Sequence, residues 1–481
     1  MPLADALLDI SRGAVVAPAG CGKTQLITDA LAGLGATLPV LVLTHTNAGV
    51  AALRARLAKA GVPAKAYRVL TMDGWAMRLA STFPLRSGIA LSSLELRDTE
   101  RDYPAIREAA VRLLEAGHLA DLFRTTYDRI IVDEYQDCNS SQHALMRHAS
   151  AAVPTVVLGD PLQAIFGFGG NDLPDWTTEV CADFPVSATM NIPWRWVNAE
   201  TPALGEWLLS IRAPLSAGQS IDLATVPEAV EWVQLTGQPN RDRVLQLNAA
   251  RTRLPDASAR ALILADSRKP AQQRQVASQT FGASTVESVE LGDLILFAEA
   301  LDAATDGTGM CERVVEFAGA VMTNVGGSKF VSRLETLRTG RPRKGPNEAE
   351  TAALRLCQDP SANRASDLLA ELIRMRDVRV YRPTLLRAAV AMLRAKQQYP
   401  TRGFVATARI IREDVRVGRR RVARRAVGST LLLKGLEADI AIVLNAATMD
   451  AKNLYVAMTR GAKRLVVCSA SSQVGVVDGS Q

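Results

Sequence analysis

No run of about 18 uncharged apolar residues occurs in the chain, so we expect no transmembrane helix. The amino terminus, Met-Pro-Leu-Ala-Asp, lacks both a basic segment and a long apolar core, which argues against a secretory signal. The six cysteines are scattered, with none paired at the spacing of a metal site, and the four histidines form no motif. We therefore expect a cytoplasmic protein with free thiols that does not associate with a membrane.

Charge is distributed unevenly along the 481 residues. Residues 331–425 contain 23 Lys and Arg against 9 Asp and Glu, so this segment is strongly basic and the remainder is net acidic. A basic region on an otherwise acidic chain indicates a polyanion partner, and a solvated arginine-rich face is the equal alternative. Hydrophobic residues make up 48% of the chain, enough for several sizeable cores.

A stretch from residue 15 to 24 predicts a strand, a loop of small residues and the start of a helix. Such an arrangement binds phosphate, because backbone N–H groups and the helix dipole point at the anion. Glycines let the backbone approach phosphate oxygens, the lysine reaches the outer phosphates, and the threonine hydroxyl can hold Mg²⁺. The residues expected to bind nucleotide here are Ala17, Gly20, Cys21, Gly22, Lys23, Thr24 and Gln25.

Two carboxylates follow the apolar strand pattern of residues 130–132, at its carboxyl end. Ligand sites of open α/β sheets lie at that edge. Asp133 is expected to hold Mg²⁺ together with Thr24, and Glu134 to activate the attacking water as general base. Strands that alternate with helices along the chain predict α/β architecture with mostly parallel sheets.

The sequence Asp133-Glu134-Tyr135-Gln136-Asp137 resembles motif II of the UvrD/Rep-like superfamily 1 DNA helicases. Further segments resemble the motifs of this family in the family's order and extend from residue 17 to residue 462. They are Thr44-His45-Thr46-Asn47 for motif Ia, Thr71-Met72-Asp73-Gly74 for the next segment, residues 159–170 for motif III, Pro193-Trp194-Arg195 for motif IV, Lys434-Gly435-Leu436-Glu437 for motif V and residues 456–462 for motif VI.

The resemblance implies a role for each matching residue. It implies that Gln163 senses the γ-phosphate, that Arg195 and Arg460 act as arginine fingers, and that Lys23 and Glu134 complete the catalytic set. It also implies that Trp194 stacks on adenine and that Glu437 lies near the ribose. The single-stranded DNA contacts implied by the resemblance are Thr44, Thr46, Asn47, Thr71 and Phe168.

Three positions depart from the family pattern. No glutamine upstream of Gln25 takes the adenine-reading place, Gly169 stands where motif III usually has arginine, and Leu431 replaces the usual histidine of motif V. The first departure makes selectivity for ATP an open question. The second removes one link between the nucleotide and DNA sites.

The family resemblance and the strand pattern together predict two RecA-like cores, each interrupted by a helical insertion. Core 1A is expected over residues 1–195, with insertion 1B at about residues 81–126. Core 2A is expected over residues 196–481, with the basic helical insertion 2B at about residues 291–416. We expect ATP and Mg²⁺ between the two cores.

Three functions remain open from the sequence. The first is an ATP-dependent helicase or translocase on single-stranded DNA or a tailed duplex, with 3′ to 5′ polarity implied by the form of motif III. The second is a DNA-stimulated ATPase that regulates a separate nuclease subunit without unwinding, as in phage-defence systems such as Gabija. The third is a simple P-loop kinase or phosphate-binding protein, which would leave the segments around Glu437 and Arg460 unexplained.

Overall fold

Strands and helices alternate along most of the chain. A computed structural model describes residues 2–35, 37–167, 171–340, 343–417 and 422–476. One compact unit contains Met1–Val230, Met449–Lys463 and Gln473–Gln481, and the other contains Glu231–Thr448 and Arg464–Ser472. Each unit contains a six-stranded sheet.

Over the described residues, the strands are β1 Arg12–Val16, β2 Val40–Thr44, β3 Tyr67–Thr71, β4 Ile130–Val132, β5 Thr155–Gly159, β6 Val186–Thr189, β7 Ile221–Asp222, β8 Val230–Gln234, β9 Ala261–Leu264, β10 Ala283–Thr285, β11 Met322–Thr323, β12 Arg379–Val380, β13 Arg425–Gly428, β14 Ala438–Val443, β15 Gly461–Ser469 and β16 Gln473–Val474.

Over the same residues, the α-helices are α1 Pro2–Asp9, α2 Lys23–Ala32, α3 Asn47–Lys59, α4 Met72–Thr82, α5 Pro84–Ser87, α6 Thr99–Glu115, α7 Ala120–Thr126, α8 Ser140–Ala149, α9 Cys181–Asp183, α10 Trp194–Asn198, α11 Pro202–Ser210, α12 Arg212–Ser216, α13 Pro239–Ala250, α14 Pro270–Gln279, α15 Gly292–Asp302, α16 Gly307–Val321, α17 Gly327–Thr339, α18 Glu348–Gln358, α19 Ala362–Arg374, α20 Pro383–Gln398, α21 Phe404–Val417, α22 Thr430–Leu433 and α23 Ala451–Met458. Short 3₁₀ turns occur at Ala64–Ala66, Leu91–Glu95, Tyr135–Asp137, Pro161–Gln163 and Ala446–Thr448, and a π turn at Trp176–Val180.

The sheet of the first unit has the order β3-β2-β4-β5-β1-β6, with parallel pairing throughout. Its strands are apolar on both faces because helices cover both sides. Along β2, Leu41 and Leu43 join one hydrophobic core while Val40 and Val42 join the other. This alternation follows from the two-residue period of a strand, and each buried side chain contributes about 1.5–3 kcal/mol.

Helix α6 belongs to the expected insertion 1B and shares a core with the first sheet. Its apolar positions Ile106, Ala109 and Leu113 lie on one helical face and are buried. They belong to the same cluster as Leu41 and Val132 of the sheet. This segment therefore contributes to the core of the first unit as well as connecting β3 to β4.

The sheet of the second unit has the order β10-β13-β9-β14-β15-β8, and β10, β13, β9 and β14 pair in parallel. Together the two sheets confirm the predicted α/β class and are consistent with two RecA-like cores. Between the adjacent strands β10 and β13, helices α15 to α21 form a separate hydrophobic cluster extending from Leu291 to Ala408. Helix α19 shows the pattern most clearly, because Ala365, Leu368, Leu369 and Leu372 are all buried along one face.

The first unit extends past residue 195, where the sequence led us to expect a boundary, and it also includes residues 449–463. Hydrogen bonds join these two segments. Trp196 Nε1 donates to the Gly461 carbonyl oxygen at 2.9 Å, and Thr201 Oγ1 donates to that of Ala462 at 2.7 Å. Residues just after 195 are thus bonded to the segment that the sequence assigned to the second core.

Two further sequence expectations concern membranes and thiols. Within the described ranges, no helix is long and apolar enough to cross a membrane. The six cysteines are free thiols.

Candidate nucleotide site

The loop between β1 and α2 folds as a phosphate-binding loop does. Gly20 and Gly22 adopt φ values of 72° and 91°, in the left-handed region that favours glycine. A Cβ on Gly20 would also lie 2.5 Å from the Trp196 ring. Gly22 caps α2 without a side-chain hydrogen bond, so the first turn offers its backbone N–H groups to a ligand. This is the geometry that an anion requires.

Lys23 lies in the first turn of α2 and is buried, with 8% of its surface exposed. Its Nζ donates to Glu134 Oε2 at 3.1 Å, and Gln136 Nε2 donates to the same oxygen at 2.6 Å. Burial opposes the charged form of Lys23, but Glu134 and Asp133 outweigh burial and raise the pKa of Lys23 above its ordinary value. The lysine therefore stays cationic, as phosphate binding requires.

Asp133 immediately follows the strand β4 and is buried, with 5% of its surface exposed. Burial, followed by the neighbouring Glu134 carboxylate, raises the pKa of Asp133 to about 7. Such a carboxylate gains from a divalent cation, which stabilises its ionised form. Thr24 would add a hydroxyl oxygen, and hard oxygen ligands of this kind suit Mg²⁺. Over the described residues, no group of three or more His, Cys, Asp or Glu side chains is arranged to hold a metal.

Asp160, just after β5, connects the phosphate loop to the turn that carries Gln163. Its side chain is fully buried and accepts hydrogen bonds from the Ala19 N–H at 3.1 Å and from Gln163 Nε2 at 2.8 Å. The Asp160 N–H in turn donates to Gln136 Oε1 at 3.0 Å. The carboxylate thus fixes the predicted γ-phosphate sensor relative to the loop.

Arg212 completes this arrangement and was not predicted from the sequence. Its guanidinium donates two hydrogen bonds to the Asp160 carboxylate, at 2.9 and 2.7 Å, and a third to the Tyr455 hydroxyl at 2.7 Å. Burial lowers the pKa of Arg212, but the Asp160 charge outweighs burial and raises that pKa above its ordinary range. The sequence signal was weak: a single arginine in the apolar stretch Leu208-Leu209-Ser210-Ile211-Arg212-Ala213-Pro214-Leu215.

The Arg212–Asp160 pair leads to a prediction about stability. Arg212→Met leaves the buried Asp160 carboxylate uncompensated, which we expect to lower the free energy of unfolding by about 3–5 kcal/mol. Adding Asp160→Asn removes that charge and should recover part of the loss. Urea unfolding followed by tryptophan fluorescence measures both, with the exposed Arg376→Met as matched control. A loss below about 1 kcal/mol for Arg212→Met would contradict the described pair.

The segment Trp194 to Trp196 packs against the phosphate loop. The Arg195 N–H donates to the Gly20 carbonyl oxygen at 3.0 Å, and Arg195 Nη1 donates to that of Thr459 at 2.5 Å. Trp194 is 46% exposed, and a Cβ on Gly22 would lie 3.4 Å from its ring. An exposed ring beside the loop is suited to stacking on a nucleotide base.

Arg460 is buried and lies immediately before β15, in the segment Met449–Lys463 of the first unit. Its Nη2 donates to Gln163 Oε1 at 3.4 Å and to Thr459 Oγ1 at 3.2 Å, while Nε donates to the Val456 carbonyl oxygen at 2.9 Å.

Cys21, in the phosphate loop, is buried, and burial raises the pKa of its thiol to about 11. Gln25 is exposed at the start of α2, where its side chain bonds to Asp29.

The structure thus brings Lys23, Glu134, Gln163, Arg195 and Arg460 together around the loop in the first unit. Glu437 lies in the second unit, immediately before β14, and its role near the ribose stays a prediction. Ala17 follows β1, where its N–H donates to the Gly159 carbonyl oxygen at 2.8 Å.

Four of the predicted DNA contacts lie at one edge of the first sheet. Thr44 and Thr71 end the adjacent strands β2 and β3 and pair in register. Thr46 caps α3 by accepting from the Gly49 N–H, Thr71 caps α4 by accepting from the Gly74 N–H, and each bond is 3.0 Å long. Thr44 is buried, whereas Thr46 and Asn47 are exposed. The fifth, Phe168, lies outside the described residues.

Fold and loop together define a P-loop protein with two α/β cores. Residues 90–177 match the UvrD/REP helicase N-terminal domain family. Two curated relatives, from Lacticaseibacillus casei and Lacticaseibacillus paracasei, each carry the name of an ATP-dependent helicase/nuclease subunit and are 29% identical over 137 residues. Each match covers 22% of this chain and 11% of the relative's length.

Among solved structures, the Pif1 helicase of Candida albicans is similar at a TM-score of 0.31 and 12% identity, over 58% of this chain and 53% of that chain. That likeness is too distant to bear on function. The family match and the two relatives therefore show that part of this chain is similar to UvrD/REP-type helicases, in agreement with the resemblance found in the sequence.

Proposed function

We propose that the protein hydrolyses ATP, with Mg²⁺ as cofactor, to move along single-stranded DNA as a cytoplasmic helicase or translocase. The observation that carries the proposal is a continuous set of hydrogen bonds around the phosphate loop, made by residues of separate family motifs. These residues are Lys23, Glu134, Gln136, Asp160, Gln163 and Arg460.

In phosphoryl transfer, negative charge spreads over the γ-phosphate oxygens, so positioned cations supply most of the catalysis. Lys23, Arg195 and Arg460 are the cations proposed for that task. Glu134 takes a proton from the attacking water, and Gln163 orients that water or senses the phosphate. Mg²⁺ held by Thr24 and Asp133 would neutralise phosphate charge.

In this proposal, ATP and single-stranded DNA are bound by different residues. Trp194 stacks on the base, and Glu437 approaches the ribose. The single-stranded DNA crosses the edge of the first sheet that carries Thr44, Thr46, Asn47 and Thr71, and one of its bases stacks on Phe168. Turnover then alternates the affinity of this edge for the strand, which is how nucleotide state is coupled to movement in switching proteins.

Directional unwinding tests the proposal. Duplexes with a 3′ or a 5′ single-stranded tail are incubated with the protein, ATP and Mg²⁺, and strand separation is followed by fluorescence. We expect unwinding of the 3′-tailed duplex only. Unwinding of the 5′-tailed duplex alone, or of both equally, would refute the 3′ to 5′ polarity.

A second function is supported by the name that the two relatives carry, which pairs a helicase with a nuclease. Under this second function, the chain is a DNA-stimulated ATPase that regulates a separate nuclease, for instance in phage defence, without strong unwinding of duplex DNA. ATP turnover stimulated by DNA, absence of strand separation and co-purification of a nuclease would together favour this function over the first.

A further inference from the structure

An open groove of about 640 Å³ lies on the second unit, and none of the residues that line it belongs to a family motif named above. Three segments line the groove: residues 251–254 after α13, residues 279–282 before β10, and residues 424–425, of which the second begins β13. Because β9, β10 and β13 are adjacent and parallel, these segments meet at the amino ends of the strands. The volume is in the range of ligand pockets.

Four arginines line the groove. Arg425 donates to the carbonyl oxygens of Ala250 and Thr252 at 3.1 and 2.8 Å, Arg424 to that of Asp256 at 2.6 Å, and Arg251 to that of Gln279 at 2.9 Å. The fourth, Arg253, is exposed. Among residues that the structure describes, the hydrogen bonds of these guanidinium groups end on backbone carbonyls and none on a carboxylate.

The clustering has an electrostatic cost. Burial, followed by the neighbouring Arg424 charge, lowers the pKa of Arg425. Like charges held together in this way attract an anion, because an anion relieves their repulsion. Arginine is suited to phosphate in particular, since its planar fork donates two parallel hydrogen bonds.

Phe281 lines the same groove and is 88% exposed. Hydrogen bonds hold the chain on both sides of Phe281. Arg379 donates to the carbonyl oxygens of Ala277 and Ser278 at 2.9 and 2.6 Å, and to that of Ala283 at 2.9 Å. A large aromatic ring so exposed on a supported loop is costly in water and available for stacking.

We propose that this groove binds single-stranded nucleic acid, with the arginines on the phosphates and Phe281 stacked on a base. Basic side chains together with an exposed aromatic platform are what sequence-independent single-strand binding requires. An acidic peptide would use the charges but has no need of a stacking ring. The proposal goes beyond the function above, because binding here requires neither ATP nor the edge at Thr44 and Thr71.

Two surface variants test the proposal without disturbing the supported loop: Phe281→Ala and Arg253→Glu. Affinity of the full chain for a fluorescein-labelled oligothymidylate is measured by anisotropy, without nucleotide, across a series of salt concentrations. We expect each variant to weaken binding about 10-fold. For Arg253→Glu, the slope of log affinity against log salt should fall by about 0.7, the value for one lost phosphate contact.

Matched controls are Leu85→Ala, an equally exposed apolar residue of the first unit, and Arg376→Glu, an exposed arginine of the second unit. Both should bind as the wild type does. Oligonucleotides containing 5-iododeoxyuridine provide a second readout, with crosslinks expected in the peptide that contains Phe281.

Wild-type affinity in both groove variants, or crosslinks confined to the first unit, would overturn the proposal. So would Phe281-dependent binding of polyglutamate in preference to oligothymidylate, which would assign the groove to an acidic protein. ATP turnover is recorded in parallel without DNA. If turnover is absent here and also with saturating single-stranded DNA while the Phe281 crosslink forms, the proposed ATPase fails and the groove assignment stands.

Discussion

Lys23→Ala is expected to abolish ATP turnover, with a loss of about 10³-fold or more, equivalent to about 4 kcal/mol of barrier height. Lys23 is the buried cation of the phosphate loop, and its ammonium group is held 3.1 Å from Glu134. Alanine removes the charge that would stabilise the outer phosphates and also leaves Glu134 without its cation. Steady-state phosphate release measures the effect directly.

The control for this variant is Lys59→Ala, at the exposed end of α3. It should turn over ATP at the wild-type rate. Thermal unfolding of both variants separates loss of chemistry from loss of fold. A Lys23→Ala protein that is folded and keeps more than about a tenth of the wild-type rate would remove Lys23 from the proposed site.

Glu134→Gln is expected to bind ATP as tightly as the wild type and to hydrolyse it at least about 100-fold more slowly. The amide keeps the size of the side chain and can still bond to its neighbours, but it cannot accept the proton of the attacking water. Binding is measured with a fluorescent ATP analogue, and hydrolysis is measured in a single turnover.

Glu108→Gln serves as the matched control, because Glu108 is an exposed glutamate on α6. Full hydrolysis by Glu134→Gln would show that another group acts as the base. Loss of ATP binding would instead mean that the Glu134 contacts with Lys23 and Gln136 organise the loop, and that the loop fails without them.

The sequence predicted those parts of the fold that depend on local pattern. Apolar residues at 40–44 and 130–132 predicted buried strands, and the glycines of residues 20–22 predicted the loop, because each signal is contained in a few neighbouring residues. The two-sheet α/β class followed from the alternation of strands and helices.

Contacts between distant residues were beyond prediction. Arg212 meets Asp160 and Tyr455 only in the folded chain, and no spacing along the sequence encodes that meeting. The same holds for the hydrogen bond from Trp196 to Gly461, which joins the segment after residue 195 to the segment of motif VI.

Thr46 and Thr71 illustrate a different limit. The family resemblance implies that both contact DNA, and the structure shows that both cap helices. A threonine before a helix accepts a hydrogen bond from a backbone N–H of the first turn whether or not it also contacts DNA. Sequence pattern alone therefore does not separate the two roles. Their DNA contact stays a prediction.

The central claim is tested most directly by the rate of ATP hydrolysis with and without single-stranded DNA, at saturating ATP and Mg²⁺. The account predicts that DNA stimulates turnover by the wild type and has no effect on the inactive Lys23→Ala protein. Turnover that is the same with and without DNA would contradict the account and would favour a simple P-loop kinase or phosphate-binding protein.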